Sequence, residues 1–381
     1  MDHSQPLRQH YLSKAKRVVL KLGSAVLTGA DGLNQPLIQR LVGEIGRLSS
    51  GDREFILVSS GAIAAGCRKL GLASRPAGMP QAQAVAAAGQ SVMMHVYEEA
   101  FAELGLKVAQ ILLTHDDLES RQRFLNARNT LFTLLQWQVV PIINENDTVA
   151  TDELKFGDND NLAALICNLV GADLLIILTD IDGLYDQDPR EHPDAKLVPL
   201  VESFDAELEK AASGKAGALG RGGMGSKLQA ARKAAAAGLP TIIANGLTPG
   251  VLKKIFAGEE VGTIFLPQAQ KLKSRQYWLA YNVNPKGAIL LDKGAWEALT
   301  KRHKSLLPAG IVAVFGGFGK GAAVQLMDPE GRPFAIGLTN YSARDIARIQ
   351  GRQTKEIEQF LGQKGYDEVI HRDNLVIFPE I

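Results

Sequence analysis

Residues 174–185 read LLIILTDIDGLY, and their pattern identifies the kind of sheet this chain builds. Leu174–Leu178 is apolar at five consecutive positions. A strand with one wet face alternates apolar and polar residues; a strand covered on both faces does not. The run then breaks into Thr179, Asp180, Asp182 and Gly183, which are a hydroxyl, two carboxylates and a turn former. Six more short β-branched runs are strand candidates, and several of them are likewise apolar at consecutive positions: Arg17–Leu22, Phe55–Ser59, Val108–Leu113, Val139–Ile143, Thr241–Ala244 and Gly262–Leu266. Helix-length segments separate them, at about 35–49, 80–104, 121–136, 160–170, 204–212 and 226–237. The alternation predicts a doubly wound α/β domain whose mainly parallel sheet is sandwiched by helices. Ligands of such sheets bind outside the carboxyl ends of the strands. The residues that follow each strand are therefore the candidate site.

The pattern changes after residue 268. A polar segment, 268–276, leads into short apolar pieces broken by turns, which predicts a small β-rich domain. From Arg275 onward there are fourteen basic and eleven acidic residues. The whole chain of 381 residues carries 42 Lys+Arg against 41 Asp+Glu, a net charge of +1, so bulk charge does not make it a polyanion binder. Hydrophobic residues make up 46% and charged residues 22%, values of an ordinary globular protein. Two cysteines, Cys67 and Cys167, exclude a zinc or disulfide framework by number and read as small buried apolar residues. No apolar run approaches the roughly 20 residues needed to cross a bilayer, and the polar N-terminus is unlike a secretory signal, so no membrane partner and a cytoplasmic location are expected.

Chemistry-bearing residues crowd the strand ends. The first strand ends Lys21-Leu22-Gly23-Ser24, where a glycine lets a phosphate approach the backbone. The second ends Ser59-Ser60-Gly61-Ala62 and opens a small-residue helix whose dipole favours a carboxylate. After VVPII come Asn144-Glu145-Asn146-Asp147-Thr148 and then 157–161, GDNDN. Those acids and amides suit an ammonium group, a hydroxyl-bearing ligand or a hydrated magnesium ion, and Asp160 could orient a nearby lysine. Thr179, Asp180 and Tyr185 stand where a nucleotide would bind. Six of the twelve residues 214–225 are glycine, and this loop opens a helix with Lys227 in its first turn. It is neither a dinucleotide fingerprint nor a Walker A loop. A lysine in that position opposes the helix dipole and calls for an anion.

Two lysines on separate elements, two glycine turns and an acidic loop describe phosphoryl transfer, in which catalysis is mostly positioning and charge stabilisation. No histidine lies in these loops. A carboxylate acceptor explains this, since it is already ionised and needs no base.

Residues from about 17 to 266 closely resemble the amino acid kinase family, on VVLKLGSAVLTG, VSSGAIAAG, RFLNARNTL, VPIINENDTVATDELKFGDNDNLAAL, LTDIDGLYDQDPR and GGMGSKLQAA. The INEND and GDNDN pair resembles the branch that phosphorylates the γ-carboxylate of glutamate. The tail resembles a PUA domain, on LLPAGI, GKGAAVQLMDPEGR and FAIGLTNYSARDIARIQG. The resemblance implies an amino acid kinase fold over 15–268 and a PUA domain over 283–365. It implies ATP with Mg2+ as cofactors, L-glutamyl 5-phosphate as product, the first step of proline biosynthesis, and proline as an inhibitor. It assigns Lys21 and Lys227 to the transferring phosphoryl group, with Asp160 orienting both. Ser60, Asp147 and Asn159, with Asp158 nearby, match glutamate-binding positions. Lys21, Gly23, Thr179, Asp180, Arg221, Gly222, Gly223, Met224, Gly225, Ser226 and Lys227 match ATP-binding positions, and no side chain is assigned as a direct metal ligand. Arg221 and Ser226 stand where the family usually has Thr. As partners it implies a homo-oligomer and transfer of product to glutamyl phosphate reductase. Because PUA modules often bind RNA, RNA is a further partner that the resemblance leaves open.

Overall fold

In a computed structural model, residues 4–29, 32–49, 52–150, 159–204, 223–268, 274–362 and 365–378 are described. The chain forms two compact units, Met1–Lys271 and Leu272–Ile381.

The first unit is built on an eight-stranded sheet. Its strands are β1 (Arg17–Leu22), β4 (Glu54–Ser59), β5 (Lys107–Leu113), β6 (Val139–Glu145), β7 (Leu174–Thr179), β8 (Leu200–Val201), β9 (Thr241–Asn245) and β10 (Thr263–Phe265), while β2 (Thr28–Gly29) and β3 (Gly32–Leu33) form a separate hairpin. The order is β5-β6-β4-β1-β7-β9-β10-β8. From β5 to β9 every pairing is parallel, and β10 runs antiparallel to β9. The mainly parallel sheet is therefore as the apolar runs predict. All of β7 is buried, and β1 and β4 are buried beyond their first residue. Leu20, Leu57, Ile176 and Ile242 stack in the core with Ile38, Leu41, Tyr97 and Phe101 from the covering helices.

The helices Gln35–Ser49 and Arg121–Gln136 match the expected spans at both ends, and Met79–Ala102, Asn159–Val170 and Met224–Ala236 do so within two residues. The expected helix at 204–212 lies, past its first residue, outside the described residues. Strand β6 runs two residues beyond Ile143, so Asn144 and Glu145 are held by the sheet instead of a loop. The N-terminal helix, Ser4–Lys14, has a polar sequence with no apolar face to announce it. It is seated by Leu12 and by Arg8, which is fully buried. The Arg8 guanidinium donates to the carbonyls of Pro199, Val261 and Gly262 at 2.7, 2.9 and 2.6 Å.

The second unit is a five-stranded sheet, β12 (Ile311–Phe315), β11 (Ala288–Leu291), β13 (Ala323–Met327), β14 (Pro333–Leu338) and β15 (Leu375–Ile377) in that spatial order. Only β11 and β13 pair in parallel. Ile289, Leu326, Ile336 and Val376 are buried, and the helix Ala343–Ile349 contributes Ile346 and Ile349 to the same core.

Candidate active site

The site assembles at the carboxyl ends of the central strands. Lys21 sits on β1 in register with Val58 of β4 and Ile177 of β7, so its stem is flanked by strands on both sides. Its ammonium lies 2.6 Å from Asp160 Oδ1. Asp160 is in the first turn of the helix Asn159–Val170, where a carboxylate is favoured by the dipole. Its other oxygen, Oδ2, takes the Lys227 ammonium at 3.3 Å and the Ser226 hydroxyl at 2.7 Å. All three charged groups are buried. Burial alone would raise the Asp160 carboxyl, but the Lys21 and Lys227 ammoniums, with hydrogen bonds from Lys21 and Ser226, hold it below the ordinary carboxylate range. The anion demanded by a lysine at the start of the helix Met224–Ala236 is thus Asp160. Two ammoniums converge on one carboxylate at the strand ends, an arrangement that suits a phosphoryl group.

Gly23 follows directly. Its N–H is taken by the Leu178 carbonyl at 3.0 Å, so it offers room and not a donor. A Cβ there would lie 3.1 Å from that carbonyl and 3.6 Å from the Lys21 ammonium.

Beside the lysines opens a cavity of about 550 Å³. Its walls include Ser60, Gly61, Arg68, Arg75, Asn144, Glu145, Asp147 and Asn159. Gly61 caps the helix Ala62–Lys69 with φ of 104°, a left-handed conformation that favours glycine. The Asn159 amide nitrogen donates to Ser59 O, Ser60 Oγ and Asn144 Oδ1 at 3.1, 2.9 and 3.0 Å. Its Oδ1 is buried with no hydrogen-bond partner among the described residues, an acceptor waiting for a donor. Asp147 is 9% exposed. Burial first, and then the neighbouring Glu145 charge, push its carboxyl up to about 7, against a downward pull from Arg75. An ammonium ligand would relieve both.

On the other flank, Thr179 ends β7 with its hydroxyl donating to Asp180 at 3.1 Å, and Asp180 is exposed. Gly223 and Gly225 are exposed, Met224 and Ser226 half-buried, at the start of the helix Met224–Ala236. Asp158, Arg221 and Gly222 lie outside the described residues. The structure therefore brings Lys21, Asp160 and Lys227 into direct contact, gathers Ser60, Asp147 and Asn159 around one cavity, and puts Thr179 and Asp180 at the end of the adjacent strand.

Some lining residues had no sequence signal of their own. Arg68 and Arg75 sit in the 61–78 stretch, which reads as a helix and a plain loop. Tyr97, on the helix Met79–Ala102, does not line the cavity but shares a 2.8 Å hydrogen bond with the Ser59 hydroxyl, one residue before the lining residue Ser60. One expectation is corrected. Cys167 is buried, but Cys67 is only partly so and lines the cavity, because the helix Ala62–Lys69 buries Ala62, Ala65 and Gly66 and leaves Cys67 toward the opening.

The family model described as the amino acid kinase family matches residues 16–245, and that of the PUA domain matches residues 287–361. Carbamate kinase from Giardia lamblia bound to AMP-PNP shares the fold with a TM-score of 0.50 at 17% identity, over 67% of this chain and 100% of that one. Fold and site thus define a kinase of the amino acid kinase class. A glutamate 5-kinase from Geobacter sulfurreducens is 53% identical over 372 residues, 97% of this chain and 100% of its own length. A second, from Geobacter metallireducens, matches with the same identity and coverage. The chain belongs to the glutamate 5-kinase family, with a PUA domain after its kinase domain.

Proposed function

We propose that this chain transfers the γ-phosphoryl group of ATP to the γ-carboxylate of L-glutamate, giving L-glutamyl 5-phosphate and ADP. The observation that carries the reading is the Lys21–Asp160–Lys227 cluster beside a cavity with acidic and amide walls. The acceptor carboxylate attacks the phosphorus in line, and the bond to the ADP oxygen breaks. Lys21 and Lys227 stabilise the charge spread over the equatorial oxygens. Asp160 holds both ammoniums in place and takes no proton. Ser60, Asp147 and Asn159 hold glutamate, Asp158 lies beside them in sequence, and the ammonium of glutamate meets Asp147 and Asn159 Oδ1. Gly23, Thr179, Asp180 and residues 221–227 take the nucleotide.

Among the described residues, no three His, Cys, Asp or Glu side chains converge as a metal site. Mg2+ bound with ATP would be held by phosphate oxygens and water and would supply further charge neutralisation beside Lys21 and Lys227.

The same reading extends to the setting. The product is an acyl phosphate, which reacts readily with water, so direct passage to glutamyl phosphate reductase and a role at the start of proline synthesis follow. Proline, an amino acid with an ammonium and one carboxylate, competes for the acidic cavity as an inhibitor. We assign the kinase domain to 15–268 and the PUA domain to 283–365, the active form to a homo-oligomer, and the compartment to the cytoplasm, which suits two unpaired thiols. RNA is a partner of the tail only if its binding falls steeply with salt.

The test is ADP release with glutamate, aspartate or acetylglutamate, the acyl phosphate being trapped with hydroxylamine. Hydroxamate is expected with glutamate alone. No glutamate-dependent product would sink the assignment.

A further inference from the structure

Glutamate brings one ammonium and two carboxylates to the cavity, and only two of these three charges have partners so far. The γ-carboxylate must face Lys21 and Lys227, where transfer occurs. The ammonium fits the side where Asp147 and Glu145 stand and where Asn159 presents its unpartnered Oδ1. The α-carboxylate shares a carbon with that ammonium, so it must sit close to Asp147 and needs a cation of its own.

Two arginines line the cavity, Arg68 and Arg75. The stem of Arg68 packs over Gly32, with Cβ and Cγ both 3.3 Å from the position a Gly32 Cβ would take. Arg75 is the one whose positive charge acts on Asp147. It lies in the loop between the helices Ala62–Lys69 and Met79–Ala102, exposed at the cavity wall where an incoming anion meets it. A planar guanidinium offers two parallel N–H donors to a carboxylate, a fit that lysine cannot reproduce.

We propose that Arg75 binds the α-carboxylate of glutamate and is a specificity-determining residue of this kinase, selecting acceptors that carry a free α-carboxylate beside the ammonium. The assignment rests on glutamate being the acceptor.

The experiment compares L-glutamate with its α-amide, which keeps the ammonium and the γ-carboxylate and loses only the α charge. Both are assayed by hydroxamate trapping with the full chain and with Arg75→Gln and Arg75→Lys. Charge-assisted hydrogen bonds of this kind are worth about 10- to 100-fold, so Arg75→Gln should lower kcat/KM for glutamate by that factor. The loss should fall in KM, with kcat and the KM for ATP held. The α-amide, already a poor substrate, should change by less than about threefold, and Arg75→Lys should restore part of the glutamate preference. Equal losses for both substrates would mean a structural role and would overturn the proposal, as would no loss for either. Absence of glutamate turnover by the unsubstituted chain is a separate result, which overturns the assigned reaction itself and this inference with it.

Discussion

The Lys21 ammonium and the Asp160 carboxylate meet at 2.6 Å with their side chains only 6% and 2% exposed. The pair is built from the carboxyl end of a buried strand and the first turn of a helix, and Lys227 closes on the same carboxylate from a second helix. Asp160→Asn keeps the shape and removes the charge. It should lower kcat by about 100-fold or more while moving the KM for glutamate little, since the lysines then repel each other and lose their aim. Breaking a buried ion pair by removing one partner also costs about 3–5 kcal/mol, which a denaturant midpoint would register. The pH dependence has a definite sign. The folded carboxyl titrates below its ordinary value, so its contribution to stability is complete above pH of about 4 and is lost as acid reaches its lower folded pKa.

Lys227→Ala leaves the glutamate cavity untouched, because Lys227 does not line it. The expected result is a large fall in kcat with little change in glutamate KM. A variant that lost only glutamate affinity would contradict a role on the phosphoryl group.

Asp147 predicts a pH dependence of the opposite kind. With its carboxyl raised to about 7, the empty cavity holds it largely protonated in mild acid, and an ammonium binds the ionised form best. The KM for glutamate should fall between pH about 6 and 8 while the KM for ATP stays flat, and Asp147→Asn should abolish the slope. The unfolded chain ionises this group near pH 3.8, so the unliganded protein should lose stability as pH rises from there through about 7. Glutamate should restore part of it, as a melting curve with and without ligand would show.

The helices Ala62–Lys69 and Met79–Ala102 touch backbone to backbone. A Cβ on Gly89 would fall 1.7 Å from the Ala62 carbonyl oxygen and 2.6 Å from the Gly66 nitrogen. Gly89→Ala must push the first helix, and the Gly61 turn that shapes the cavity, away from its seat. Overpacking of this kind costs about 1–3 kcal/mol or more. Both Tm and glutamate affinity should drop, with ATP affinity less affected.

Much of the fold and of the candidate site is legible in the sequence, for physical reasons that differ by residue. Strands such as Leu174–Thr179 announce a doubly covered sheet because nothing polar interrupts them. Lys227 invited an anion because a cation opposes a helix dipole, and Asp160 answered. Asn144 and Glu145 stood in the sequence as part of an acid and amide turn, yet they end a strand, because the edge strand Lys107–Leu113 extends the pairing past the last apolar residue. Arg75 carried no signal at all. Its importance comes from tertiary placement opposite Asp147, and a loop rich in Gly, Pro and Ser says nothing about what it faces. The helix Ser4–Lys14 was equally silent, since its anchor is a buried arginine and not an apolar stripe.

That anchor has a consequence for the order in which the protein is made. Arg8 leaves the ribosome long before two of the carbonyls that receive it, Val261 and Gly262, which lie 253 and 254 positions later. The kinase unit can acquire its strands in sequence, but it cannot close until that late segment emerges. The helix Ser4–Lys14 therefore waits for these acceptors until that segment has been made, and its seating belongs to a late step in the assembly of the first unit.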